Sequence, residues 1–150
     1  MINIEKSVLI KKPVSVVFAY SQDMNNYSKW QGEGNMQMIK GRDNEVGSRY
    51  VESYKILGKE IKNTVEITAF KKNELWAARV IEGMLPYSVI MAYTEVPEGT
   101  RLIMTIEGEA SGFFKLTEKV ITASIEKDVE KSLLKLKALL ESNPHHLLNE

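Results

Sequence analysis

Residues 119–141 read KVITASIEKDVEKSLLKLKALLE. Within them Ile121, Ile125, Val129, Leu133, Leu136 and Leu140 recur every three or four residues, the spacing that stacks side chains on one face of an α-helix. The opposite face carries Lys119, Glu126, Lys127, Glu130, Lys131 and Lys137. The period begins after Gly112, so the sequence predicts one long amphipathic helix from about Phe113 to Glu141, stopped by Asn143-Pro144. Most of a helix's stability in a protein comes from packing its apolar face, and a stripe this long needs a broad partner.

The partner lies upstream. Ile2, Ile4, Val8 and Ile10 alternate with Asn3, Glu5, Ser7 and Lys11, the period of a half-buried strand. Pro13 suits a helix start, and Val14, Val17, Phe18 and Tyr20 follow at helical spacing to about Asp23; a second short helix is expected over Asn25 to Trp30. Gly32 and Gly34 break it. From there to Glu107 the chain becomes six short β-type runs divided by turn chemistry. Asn35–Lys40 leads to Ser48–Leu57 through Gly41-Arg42-Asp43-Asn44 and Gly47, and Gly58-Lys59 fits a two-residue hairpin with glycine first. Further turns are expected at Lys71-Lys72-Asn73, at Gly83 to Pro86 and at Pro97-Glu98-Gly99. The expected class is α+β: a seven-stranded antiparallel sheet curled around the last helix, with two short helices between strands one and two. Residues 1–142 form one domain in this reading and 143–150 a flexible tail.

Composition narrows the function. A chain of 150 residues is one ordinary domain. Twenty basic against twenty acidic side chains leave no overall field to attract nucleic acid or an anionic membrane. With no cysteine there is no disulfide scaffold, thiolate metal site or cysteine nucleophile. The only histidines, His145 and His146, sit together in the polar tail, so neither a metal site nor a catalytic triad is expected, and no cofactor is called for. Gly32-Glu33-Gly34 follows a helix and lacks the third glycine of a dinucleotide loop. The opening Met1-Ile2-Asn3-Ile4-Glu5-Lys6 is no signal peptide, and no segment has the apolar length to span a bilayer; a cytoplasmic protein is expected, its oligomeric state open between monomer and homodimer. Lys11-Lys12 and Lys71-Lys72 read as solvated strand edges.

The order of elements resembles the START-like, or SRPBCC, superfamily, which includes polyketide cyclase-like proteins, the birch-pollen allergen group and lipid-transfer domains. The likeness spans essentially the whole chain. It is carried by the strand Ile4-Glu5-Lys6-Ser7-Val8-Leu9-Ile10 followed by Pro13 and Val17-Phe18, and by Asp23 six residues before Lys29-Trp30. Val46-Gly47-Ser48, Gly99-Thr100-Arg101 and the closing Leu133 to Glu141 match other recurrent positions. Between strands two and three this chain has Gly41-Arg42-Asp43-Asn44-Glu45-Val46-Gly47, where the birch-pollen group has a glycine-rich loop. The resemblance implies a helix-grip fold with a tunnel between sheet and helix for a lipid, sterol, polyketide or similar apolar molecule.

Strand alternation then nominates a lining, because only one set of side chains can face the helix. Tyr87, Val89, Met91 and Tyr93 outweigh Ser88, Ile90, Ala92 and Thr94, and Leu102, Met104 and Ile106 oppose Arg101, Thr105 and Glu107. On strand three Tyr50, Glu52, Tyr54 and Ile56 share a face, so if that face is internal a carboxylate stands between two phenols and could orient a polar head group. Met84, Met91 and Met104 would add an adaptable lining, and Trp30 packs where the second helix meets the sheet, a family position near the cavity mouth. The candidate ligand set is Trp30, Tyr50, Glu52, Tyr54, Met84, Tyr87, Met91, Tyr93 and Met104. Against it stands plain packing: aromatic and methionine residues at strand spacing make ordinary core more often than a ligand box, and an unpaired carboxylate resists burial.

The leading functional reading is a module that carries or senses a small apolar or amphipathic molecule, with no residue required to do chemistry. The alternative is a polyketide cyclase-, aromatase- or hydrolase-like enzyme in which Glu52 or Arg79, with a tyrosine, transfers protons. A third is a protein-interaction domain like the chaperone activators that share the fold.

Overall fold

In the computed structural model, which describes residues 1–32, 34–109 and 112–142, the chain runs β1 (Ile2–Ile10), α1 (Val14–Ser21), a 3₁₀ turn (Met24–Asn26), α2 (Tyr27–Trp30), β2 (Asn35–Lys40), β3 (Arg49–Ile56) and β4 (Lys59–Lys71). It continues through β5 (Leu75–Gly83), β6 (Tyr87–Val96), β7 (Gly99–Gly108) and a 3₁₀ segment (Gly112–Thr117) to α3 (Glu118–Ser142). The strands form one sheet in the order β1-β7-β6-β5-β4-β3-β2, every neighbouring pair antiparallel. This is the expected meander, with β1 added on the β7 side. Register shifts between Met38 and Lys40, Thr64 and Val65, and Ile67 and Ala69 place irregularities along β2 and β4, where they bend the sheet into a concave surface.

Three local expectations need correction. The long helix starts at Glu118, because the segment before it takes the tighter 3₁₀ form common at helix starts. Pro13 stands just before α1 as its N-cap, and the helix ends at Ser21, short of Asp23; Asp23 instead accepts a hydrogen bond from Asn25 N and caps the 3₁₀ turn. The β3–β4 hairpin turns on Leu57-Gly58, both at positive φ, and not on Gly58-Lys59. That is the I′ geometry matching strand twist, in which Leu57 accepts a conformation that costs most residues about 1–2 kcal/mol. The tail, 143–150, with His145 and His146, lies outside the described residues, as does Glu33 of the Gly32–Gly34 stretch.

The helix stripe packs as its period requires: Ile121, Val129, Leu133, Leu136 and Leu140 are buried, each burial worth about 1.5–3 kcal/mol. Ile125, in the same stripe, is only partly buried. Polar ties fix one flank of α3 to β1. Lys6 reaches Glu126 at 2.9 Å and Glu130 at 3.6 Å, while Lys137 Nζ donates to Leu9 O at 2.6 Å and to Glu141 at 2.7 Å. Glu141 also accepts from Lys11 N at 2.8 Å. Held along β1, the helix leaves the opposite side of the concave sheet uncovered, and the sheet's apolar face closes there only in part.

At the other end α1 seals the concave face. Phe18 meets Tyr93 edge-on with ring centroids 4.9 Å apart and Phe70 at 5.5 Å. Edge-to-face pairs of this kind add about 0.5–1.5 kcal/mol to the burial itself. The core is therefore dense beneath α1 and loosens beyond it.

Candidate functional site

Where the core loosens lies a cavity of about 1030 Å³ between the sheet, α2 and α3. Its walls are apolar: Val89, Met91, Met104 and Ile106 from the sheet face Ile125 and Val129 of α3, which explains why Ile125 is the half-covered member of its stripe. The inward sets proposed for β6 and β7 are the ones that line it, except where α1 takes over.

One polar cluster interrupts the apolar wall. Glu52, on β3, is only 4% exposed and pairs in register with Asn63 on β4. Asn63 Nδ2 donates to Glu52 Oε1 and to the hydroxyl of Tyr54, each at 3.2 Å, and the hydroxyl of Tyr87 donates to the same Oε1. Asn63 can stand there because Gly83 faces it; a Cβ on Gly83 would lie 2.0 Å from Asn63 Oδ1. Both donors converge on Oε1, and among the described residues nothing donates to Oε2. Burial raises the carboxyl pKa above its ordinary value, and the hydrogen bonds from Tyr87 and Asn63 offset that only in part. Burial, with the neighbouring carboxyl of Glu52, also holds Tyr27, Tyr54 and Tyr87 well above the ordinary phenol range, so all three keep their protons. A neutral Glu52 carries its proton on Oε2 and can donate to a carbonyl or hydroxyl oxygen; an ionised one accepts from an O–H or N–H.

Six of the residues proposed from sequence, Trp30, Glu52, Tyr54, Tyr87, Met91 and Met104, come together on this cavity. Four do not, each for a physical reason. Tyr93 shares the face of Tyr87 but lies under α1, its hydroxyl 2.7 Å from Ser21 Oγ and accepting from Gln22 Nε2 at 2.6 Å. Tyr50 is buried on a separate small void of about 30 Å³ and donates to Asp43 at 3.4 Å; burial and Asp43 push its pKa up to about 12. Met84 is 45% exposed in the β5–β6 turn. Arg79 is exposed on the outer face of β5, in register with Glu66 and Ser88, and cannot reach a ligand between sheet and helix. Sequence reading missed Tyr27, Asn63, Trp76, Lys131 and Lys135. Asn63 carried a usable signal, standing as the polar member of the inward alternation Ile61, Asn63, Val65, Ile67. The indole N–H of Trp30 is buried without a hydrogen-bond partner among the described residues. Such a group costs about 1–3 kcal/mol. No cluster of histidine, cysteine, aspartate or glutamate suited to a metal occurs among the described residues, and no helix there is long and apolar enough to cross a membrane.

A curved antiparallel sheet gripping its C-terminal helix around an internal cavity defines the helix-grip class. The chain belongs to the polyketide cyclase/dehydrase and lipid transport family, whose model matches residues 1–141. Solved structures agree in fold. The protein TTHA0849 of Thermus thermophilus superposes with a TM-score of 0.80 at 18% identity, covering 94% of this chain and 99% of that one. CV1439 of Chromobacterium violaceum gives 0.72 at 15% identity, with 91% and 96% covered. StfQ, a di-domain ARO/CYC from the steffimycin biosynthetic pathway, gives 0.76 at 12% identity, with 94% of this chain and 51% of that chain covered. No curated protein matches the sequence.

Proposed function

We propose that this protein binds one small amphipathic molecule between sheet and helix, as a carrier or sensor. The observation that carries this reading is the cavity of about 1030 Å³ whose apolar wall is broken by a single buried carboxyl, Glu52, with its phenol neighbours. Apolar pockets with a few convergent polar groups are how small-molecule sites are usually built, the polar groups fixing orientation. The ligand's oxygen function meets Glu52 Oε2 and its hydrocarbon body packs on Val89, Met91, Met104 and Ile125. Native mass spectrometry of freshly purified protein, followed by organic extraction, tests it. A stoichiometric apolar adduct is expected; a clean apo mass with no thermal shift from a panel of lipids and polyketides overturns it.

A second reading is supported by the free Oε2. A buried acid can protonate a carbonyl oxygen as a carbon nucleophile adds to the carbonyl carbon, as cyclisation needs, or protonate a hydroxyl that leaves as water when its C–O bond breaks, as dehydration needs. In that role Glu52→Gln abolishes turnover while leaving ligand affinity within about twofold, and equal turnover in both proteins removes Glu52 from catalysis.

A further inference from the structure

The mouth of the cavity is chemically unlike its interior. Its exposed lining includes Lys55, Glu60, Asp128, Lys131 and Lys135. Lys55 and Glu60 are register partners across the β3–β4 hairpin, so their charges offset each other. On α3 the balance differs. Glu126 and Glu130 are turned toward Lys6 of β1, while Lys131 and Lys135 form no ion pair among the described residues and face the cavity with Asp128 alone. Lys127, Lys131 and Lys135 also follow one another at four-residue spacing, a like-charge row that disfavours the helix slightly. Two unpaired lysines thus stand at the opening of a tunnel whose inner polar group is an acid.

That arrangement orients a ligand. An anionic group beside Glu52 would be desolvated next to a carboxyl with no cation to offset it, because the cationic side chains of the lining, Lys55, Lys131 and Lys135, are all exposed at the mouth. At the mouth the same group stays hydrated and meets the lysines. Resting on the binding reading above, we propose that the ligand is an amphiphile with an anionic head, carboxylate or phosphate ester, held at the mouth by Lys131 and Lys135, its hydrocarbon body on the apolar wall and its oxygen function, further along, at Glu52.

Trp30 and Trp76, the only tryptophans, both line the cavity, so intrinsic fluorescence reports occupancy. Dodecanoate, dodecyl phosphate and dodecanol, below micelle-forming concentrations, are titrated into the wild type and into a Lys131→Glu, Lys135→Glu double variant, whose changes lie at exposed positions. The wild type is expected to bind the two anions roughly fivefold to tenfold more tightly than the alcohol. The preference should shrink in high salt and vanish in the double variant, with dodecanol unchanged. The tighter of the two anions identifies the head. Equal binding of anions and alcohol, or a preference that survives charge reversal, overturns the anionic head but leaves the cavity reading standing. No fluorescence response to any of the three overturns both.

Discussion

Tyr87 and Tyr93 stand on the same strand and the same face, six residues apart, and do different things. Tyr93 is part of a buried network: its hydroxyl meets Ser21 and Gln22, and its ring packs on Phe18. Tyr87 donates to a carboxyl that keeps one oxygen free and borders a cavity. Neither side chain chose its role. The covering element did, since α1 lies against the sheet over Tyr93, whereas past Met91 the nearest cover is α3, held away along β1 by its ties to Lys6, Leu9 and Lys11. Alternation predicts which face a residue takes, and only the position of the covering helix decides between packed core and binding site.

The comparison breaks first in stability. Tyr93→Ala should cost about 3–5 kcal/mol in urea unfolding, the range for truncating a buried aromatic, because the vacated space is sealed under α1 and leaves Ser21 and Gln22 without their partner. Tyr87→Phe should cost less than about 1.5 kcal/mol, since only one hydrogen bond is lost, at a cavity wall. Equal losses from Tyr93→Phe and Tyr87→Phe would mean that the two environments are equally closed.

Next comes occupancy. Val89→Trp places a large side chain in the cavity, where there is room for it, and should lower affinity for any bound amphiphile at least tenfold, about 1.4 kcal/mol, with the thermal midpoint unchanged or raised. An unchanged affinity, measured by the fluorescence of Trp30 and Trp76 with the added tryptophan controlled for, would place the ligand elsewhere.

Glu52 sharpens the contrast through pH. Its pKa is raised in the folded protein, above an ordinary value of 4.5, so the folded state holds this proton more tightly than the unfolded chain does. The stability it contributes is complete below pH 4.5 and is lost as pH rises through the folded-state value. Glu52→Gln removes the dependence. The variant should match the wild type near pH 4 and be more stable than it at pH 8. Denaturant midpoints across that range check it, and a gap that does not widen with pH would mean that Glu52 is not desolvated.

Much of this arrangement was legible in the sequence. Two periods, the helical one ending at Leu140 and the alternation in each strand, define a sheet and its helix without reference to contacts. The inward faces of β6 and β7 follow from size and polarity alone, whereas on β3 the carboxyl of Glu52 leaves the choice of face open until the structure is seen. What alternation could not show was depth along a strand: Tyr50, Tyr87 and Tyr93 all point inward, yet only Tyr87 borders the large cavity. The Glu52 cluster was half readable. Its acid and two of its phenols stood out, but the phenol imagined beside Tyr54 was Tyr50, whereas register and the bend of the sheet bring Tyr87 there from another strand. Asn63 stands out in sequence as the polar member of the β4 alternation, but its role beside Glu52 follows only from the register of β3 and β4. Lys131 falls on the polar face of the helix in sequence and Lys135 has no signal of its own, because which side of α3 overhangs the mouth depends on the ties to β1.

Arg79 gives the smallest expected effect and bears most directly on the face assignment. On β5 the buried Ala78 pairs with Val89 of the cavity face, while Arg79 pairs with the exposed Ser88 and is itself exposed. Its guanidinium lies across the sheet from Glu52, so neither attraction to a ligand nor proton transfer to one can pass through it. Arg79→Ala should therefore leave ligand affinity unchanged and shift stability by less than about 0.5 kcal/mol, the usual scale for an exposed position without special partners. A tenfold loss of binding or turnover in this variant would put the ligand on the convex face and reverse the inward and outward sides of the sheet.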